Sequence, residues 1–370
     1  MHKTYLHFLN GELKEIYRIA LIRVFALSLI NIFLPVYFWQ SGFTLKMIFL
    51  FVATANVSHI FSVYLSAKLS SKADLKYLIA LSLPLLILSI FFIVTVNKYH
   101  WHPVFLGFPS GLQSGLYWIS FHCNFAKNTR PQTRGRSLGV FSVLSSAAAI
   151  IGPLIGGAVI SFLGFCFLFL LMILILFLMF PFLLGPKEAF DGADFSLRRM
   201  IRKGSFRNSI VFFAQGFESV GLGYVWPIFM FLILEKYYSL GLAAALAGVA
   251  MCGVIFLAGK IADIFKRRKI IRFTAIFTLI FWIIKSLVKT PVQVFAANFL
   301  SNANDWVRII SMDSLAYDKA TNTDILGFVV MREIMLSLGC LAFCLVFYYV
   351  SDLSLILKLT GFAPLGYLLF

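Results

Sequence analysis

Residues 164–185 read GFCFLFLLMILILFLMFPFLLG, without one charged side chain. An α-helix rises 1.5 Å per residue, so about 20 apolar residues cross the roughly 30 Å hydrocarbon layer of a bilayer. A run of this length and composition reads as a membrane span, and the pattern recurs on both sides of it. The chain of 370 residues is 61% hydrophobic and only 13% charged, whereas a soluble domain carries about a quarter charged residues. A chain of this length suffices for two soluble domains, but its charges are too few to cover them. Twelve spans are predicted, near 16–39, 45–67, 76–96, 103–125, 138–161, 164–185, 207–233, 240–261, 270–288, 291–312, 325–349 and 353–370. Several connections are only a few residues long, as antiparallel neighbours require. The last span reaches Phe370 without a polar tail, so it is expected to be short or to belong to a longer chain. The segment Met1–Arg18 is polar and basic. It lacks the apolar core and cleavage site of a signal peptide, so targeting is expected to rely on the first span.

The net charge of +17 would suggest nucleic acid in a soluble protein. Here the basic residues sit between the apolar runs. The even-numbered connections carry Lys68, Lys72 and Lys76; Lys127, Arg130, Arg134 and Arg136; Lys187, Arg198, Arg199, Arg202 and Lys203; and Lys260, Lys266, Arg267, Arg268, Lys269 and Arg272. The odd-numbered ones hold little beyond Lys46, Lys98, Lys236 and Lys289. By the positive-inside bias both termini are expected in the cytoplasm, with the chain in the plasma membrane. No nucleic-acid partner is expected.

A shift of 192 residues places like on like. Leu34-Pro35 falls on Trp226-Pro227; Leu65, Lys68 and Leu69 fall on Leu257, Lys260 and Ile261; Lys127 falls on Lys319 and Gly135 on Gly327. One offset holding at equivalent topological points indicates a parallel repeat of six spans and six. The expected fold is therefore all-α, with twelve transmembrane helices in two pseudo-symmetric six-helix bundles. The expected division is 1–185, a basic linker 186–206, and 207–370. Two such bundles can rock about a central cavity and expose it to each side in turn.

The connection after span 8 reads Gly259-Lys260-Ile261-Ala262-Asp263-Ile264-Phe265-Lys266-Arg267-Arg268. It is similar to the loop signature of the major facilitator superfamily, which the chain resembles over essentially its whole length. Gly259 permits close helix approach, and Asp263 can cap a helix or pair with basic groups such as Arg267 and Arg268. The first copy departs from the pattern, with Ser71 at the aspartate position and Asp74 displaced by three. In span 5, Gly139, Ala148, Gly152-Pro153 and Gly156-Gly157 follow the motif of the family's proton-coupled exporters, alanine replacing one glycine. Small residues one turn apart let helices approach closely in lipid, and a proline bends the helix. The arginine such exporters carry in span 4 is absent between Leu112 and Phe125.

The resemblance implies a secondary active transporter that exports small, fairly apolar or cationic molecules in exchange for protons. A proton symporter importing a sugar or other metabolite is the alternative. The implied partners are a small-molecule substrate, protons and the lipid bilayer; no cofactor is implied, and the chain is expected to act as a monomer. In the family, spans 1, 4, 7 and 10 line the cavity, which here presents Arg23, Asn31, Gln113, Tyr117, His122, Glu218, Trp226, Asn302 and Asp305.

Ionisable groups inside a span are costly and face a cavity or a partner. Arg23 lies about seven residues into span 1, and Glu218 roughly 17 Å into span 7, with Gln215 on the same face. Glu218 is the first candidate for a coupling acid, the alternative being a structural hydrogen bond. Asp305 and Arg308 are spaced i, i+3 on span 10 and can pair. Arg332 and Glu333 lie at comparable depth on span 11, so the four are expected to form one cluster, an internal strut or a substrate contact. The five cysteines (Cys123, Cys166, Cys252, Cys340, Cys344) sit in apolar runs without metal-ligand spacing. Glu188, Asp191 and Asp194 have no His/Cys partners nearby, so neither a metal site nor an enzyme is indicated.

Overall fold

The structure is a computed structural model and describes residues 11–70, 75–128, 134–183, 195–264, 267–321 and 324–370. Every regular element among them is helical. Helix α1 runs Gly11–Ser28 and resumes at Leu34–Gln40; α2 is Leu45–Leu69, α3 Leu75–Val94, α4 Pro103–Asn128, α5 Arg134–Leu163 and α6 Phe165–Phe177. After a short helix Leu197–Lys203 come α7 (Phe206–Leu234), α8 (Tyr237–Ile264), α9 (Arg267–Leu287) and α10 (Pro291–Thr321). Two more, α11 (Ile325–Phe347) and α12 (Leu353–Thr360, then a 3-10 stretch Ala363–Leu369), complete twelve spans in two six-helix bundles.

Seven of these, α2, α3, α5, α6, α7, α9 and α11, are long and apolar enough to cross a membrane by length and composition alone. In α1, α4 and α10 polar groups dilute the hydropathy, and those groups point inward. Arg23, Gln113, His122, Asn298, Asp305 and Arg308 are buried. The faces turned outward carry Phe61, Phe91, Phe105, Leu174, Phe273 and Leu345, as a lipid-facing surface does. Most predicted spans agree with the helices to within a few residues. Helix α10 runs on past the expected end at 312, because the polar segment to Thr321 continues the helix beyond the apolar run. Helix α12 is shorter than expected: Pro364, with no N–H to donate, ends the regular helix and sets a 3-10 stretch.

The repeat reappears as geometry. A proline ring crowds the carbonyl four residues earlier. For Pro35 that residue is Asn31, inside the turn 29–33 that interrupts α1; for Pro227 it is Gly223, inside the π-helical turn Gly221–Val225 of α7. Adding 192 to 29–33 gives 221–225, so both halves break at the same place.

Packing between the halves follows the same pseudo-symmetry. Helix α5 lies against α8, and its counterpart α11 lies against α2. The small-residue motif of α5 serves both α1 and α8. A Cβ on Gly152 would collide with Ser28, and one on Gly156 would strike the Leu29 carbonyl and come within 2.9 Å of Phe33. Gly157 faces the Tyr237 carbonyl on α8, and a Cβ on Gly241 of α8 would meet the Pro153 carbonyl. Gly139 lies on α5 where the surroundings fall outside the described residues.

Candidate functional site

The breaks in α1 and α7 open onto a cavity of about 470 Å³ between the bundles. Leu27, Ile30, Asn31 and Leu34 of α1, Asn56 and His59 of α2, and Ser110, Gln113 and Trp118 of α4 form its wall on one side. Leu86 and Ile90 of α3, with Phe169 and Met172 of α6, extend it. The other bundle contributes Gln215, Ser219 and Tyr224 of α7 and Glu333, Leu336 and Ser337 of α11. Aromatic contacts bridge the bundles towards both ends. Phe125 and Tyr317 lie 5.1 Å apart at the end bearing the basic connections. At the other, Phe49 meets Phe343 at 5.7 Å and Phe51 meets Tyr224 at 6.2 Å.

Among the described residues Glu333 is the one acid on the cavity wall, and it is tied across the bundle interface. His59 Nε2 of α2 lies 3.3 Å from Glu333 Oε2. A carboxylate only accepts, so His59 carries its proton on Nε2. One residue away, Arg332 spans Asp313 at 3.3 Å, Glu333 at 3.6 Å and His122 Nε2 at 2.9 Å. A guanidinium only donates, so His122 Nε2 accepts, and a neutral ring then holds its proton on Nδ1, 2.6 Å from the Tyr317 hydroxyl. Its 3.7 Å approach to Glu333 is therefore proximity rather than a hydrogen bond. Helices α2 and α4 of one bundle are thus joined to α10 and α11 of the other through two histidines, an arginine, two acids and a tyrosine.

One turn below the cavity, on the α1 and α4 faces that carry Leu27 and Gln113, sit Arg23 and Tyr117. The guanidinium lies 3.9 Å over the Tyr117 ring and donates to Gln113 Oε1. A separate charged centre is enclosed within the second bundle. Glu218 accepts from Trp282 Nε1 at 3.0 Å, from Arg308 at 3.2 Å and from the Tyr367 hydroxyl. Arg308 also pairs with Asp305 at 3.0 Å and lies over the Tyr367 ring. Lys285 stacks on Trp282 and Trp226. Trp226 donates to Asn298, whose carbonyl receives Asn302.

The sequence profile of the Major Facilitator Superfamily matches residues 16–302. The chain belongs to that superfamily. Among solved structures it is similar to the human organic anion transporter MFSD10 (TETRAN), with a TM-score of 0.68 at 14% identity. That match covers 97% of this chain and 99% of the other, and at such identity it speaks for the fold alone. Two bacterial relatives match parts of the sequence. The "Uncharacterized protein in sodM 3'region" of Geobacillus stearothermophilus is 28% identical over 149 residues, 38% of this chain and 69% of that protein. The "Uncharacterized protein YqgE" of Bacillus subtilis (strain 168) is 29% identical over 139 residues, 36% of this chain and 32% of its own length. Membership of the superfamily makes the chain a multi-pass membrane transporter with a small-molecule substrate, not an enzyme.

For a member of the superfamily, the placement of the expected site residues divides. Asn31, Gln113 and Gln215 are on the cavity wall; Arg23 and Tyr117 lie just beneath it. Glu218, Trp226, Asn302 and Asp305 are not on the wall, because they face inward among α7, α9 and α10 of their own bundle. The wall is completed instead by α2, α3, α6 and α11. The expected four-charge cluster is corrected to two centres. Arg308 and Asp305 pair as their spacing predicts, but with Glu218, while Arg332 and Glu333 point across to the other bundle. Depth along the helices was matched; direction around them was not. Arg267 pairs with Asp318 of α10 at 2.6 Å, and Arg268 is exposed. Gly259 and Asp263 lie in the last turns of α8 with surroundings outside the described residues; Ser71 and Asp74 are themselves outside the described residues. Sequence reasoning missed His59, Lys285 and Tyr367. For the first two, a lone ionisable group in an apolar run was the available signal.

Proposed function

We propose that the chain is a proton-coupled exporter of small molecules, acting as a monomer in the plasma membrane with both termini in the cytoplasm. The single observation carrying the coupling is the His59–Glu333 contact at 3.3 Å, because it joins a cavity-wall acid to the opposite bundle. With Glu333 ionised, the pair holds α2 and α11 together. Protonation removes the charge, leaves His59 a weaker partner, and frees α11 to part from α2. Glu333 lies on the wall of the cavity, so its protonation couples the parting of the bundles to the movement of substrate. The groups facing Glu333 are His59, His122 and Arg332, with Asp313 and Tyr317 behind them. Export in particular is supported by the resemblance of the α5 motif, packed here against α1 and α8, to that of the superfamily's exporters. The basic residues of the even-numbered connections support this orientation.

The coupling role expected of Glu218 passes in this proposal to Glu333. Glu218 is left as a structural hydrogen-bonding group, the alternative its sequence position already allowed. A panel of radiolabelled small molecules offered to everted membrane vesicles, with and without an acid interior, tests the reading. Accumulation that appears only with the acid interior supports proton-driven export. Flux indifferent to the gradient removes the coupling, and loss of substrate from the acid interior, with protons leaving alongside, indicates the importing symporter.

A further inference from the structure

We infer that Arg23 is the anchor of an anion subsite in the floor of the cavity, and that the transported molecule carries a carboxylate or similar anionic group. The inference rests on the cavity being the transport site. It replaces the apolar or cationic cargo that the exporter resemblance implies. A buried cation in a membrane span is expected to have a partner, and among the described residues this one lacks an acid. Only three of the 15 acidic residues lie before the linker, namely Glu12, Glu15 and Asp74, and all belong to the ends of spans. Glu15 is taken by Lys76 at 2.8 Å. Among the described residues no carboxylate comes within ion-pair distance of Arg23.

The contacts Arg23 does make are those of a waiting group. It is 3% exposed, its Nη1 has no hydrogen-bond partner, and its Nη2 is held by the neutral carbonyl of Gln113. Stacking on Tyr117 fixes the guanidinium plane without neutralising it. Gln113 is itself on the cavity wall, so the guanidinium is one carboxamide away from the contents of the cavity. A carboxylate accepting two parallel N–H bonds suits this fork better than an amide oxygen. Displacing the Gln113 side chain would let such a group reach both terminal nitrogens. The only acid on the wall among the described residues, Glu333, is engaged by His59 and Arg332 and leaves the anion unopposed.

The test uses the full-length chain purified in detergent and a panel of matched probes: benzoate, nicotinate and phenylacetate, their three primary amides, and benzylamine. The midpoint of thermal unfolding is read against probe concentration. Carboxylates are expected to raise the midpoint with at least tenfold higher apparent affinity than their amides, and benzylamine to have no effect. Arg23→Gln should abolish the response, while Arg23→Lys, which keeps the charge but not the fork, should weaken it about tenfold. Without ligand, Arg23→Gln should unfold no lower than the native chain, since an uncompensated charge has been removed. A ligand-free midpoint several degrees lower would identify a structural strut and overturn the proposal. So would amides acting as well as carboxylates, a response surviving in Arg23→Gln, or no response to any carboxylate. Flux measured on the same preparation separates this from the transport reading. An Arg23-dependent carboxylate response without flux would leave the subsite standing and refute transport at the cavity; flux without charge preference would do the reverse.

Discussion

Replacing Glu218 by glutamine should weaken the fold without abolishing the response to a proton gradient. The carboxylate serves three donors, Trp282, Arg308 and Tyr367. Glutamine keeps one carbonyl oxygen and turns an N–H2 group towards at least one of those donors. A single lost hydrogen bond to a charged group costs about 1.5–3 kcal/mol, and breaking a buried pair outright costs about 3–5 kcal/mol. Arg308 retains Asp305 at 3.0 Å, so the pair is halved rather than lost. The expected destabilisation is therefore about 3 kcal/mol. Denaturant titration in micelles, followed by tryptophan emission, reads it directly, because Trp282 is one of the three donors. Vesicle flux per folded molecule should keep its dependence on the pH gradient. Native stability combined with a lost gradient response would refute this reasoning and return the coupling role to Glu218.

Further outcomes follow from the same contacts. Tyr367→Phe removes the hydroxyl donated to Glu218 and should cost about 1.5–3 kcal/mol; combined with Glu218→Gln, the loss should fall well short of the sum. Gly156→Val forces atoms into the Leu29 carbonyl and Phe33, and overpacking of this kind costs about 1–3 kcal/mol. Its flux should drop further than its stability, since the same surface also lies beside α8 and must move. His122→Ala takes away one acceptor of Arg332 and one ring packed beside position 317, so in a Tyr317→Cys background the thiol should become more reactive to a water-soluble reagent.

How far the sequence could be read depended on which physical quantity a feature encodes. Span number follows from apolar runs, so the helices appear where they were expected, while the ends of α10 and α12 depend on a polar extension and on Pro364. Pro35 and Pro227 break α1 and α7 at positions related by the same 192-residue shift that relates the halves. Gly152 and Gly156 indicated a close helix contact, but not that α1 would be the partner. Charges were harder. Helical rise gives the depth of Arg308 and Arg332, yet their partners depend on rotation about the helix axis and on which neighbour packs there. Arg332 and Glu333 are adjacent in sequence and about 100° apart around the helix, so both could reach the opposite bundle while Asp305 and Arg308 stayed within their own. His59 lay unremarked in an apolar run, and Tyr367 joins the Glu218 centre from a 3-10 segment that no periodicity announces.

The proposed coupling at Glu333 is tested most directly by comparing two fluxes in proteoliposomes holding the Glu333→Gln variant. Exchange of labelled for unlabelled substrate at equal pH needs the bundles to rock but no proton to be carried across. Substrate movement driven by an imposed pH gradient needs both. The variant is expected to exchange at a rate close to the native protein's and to ignore the gradient. Gradient-driven accumulation at the native level in Glu333→Gln would contradict proton coupling through this residue.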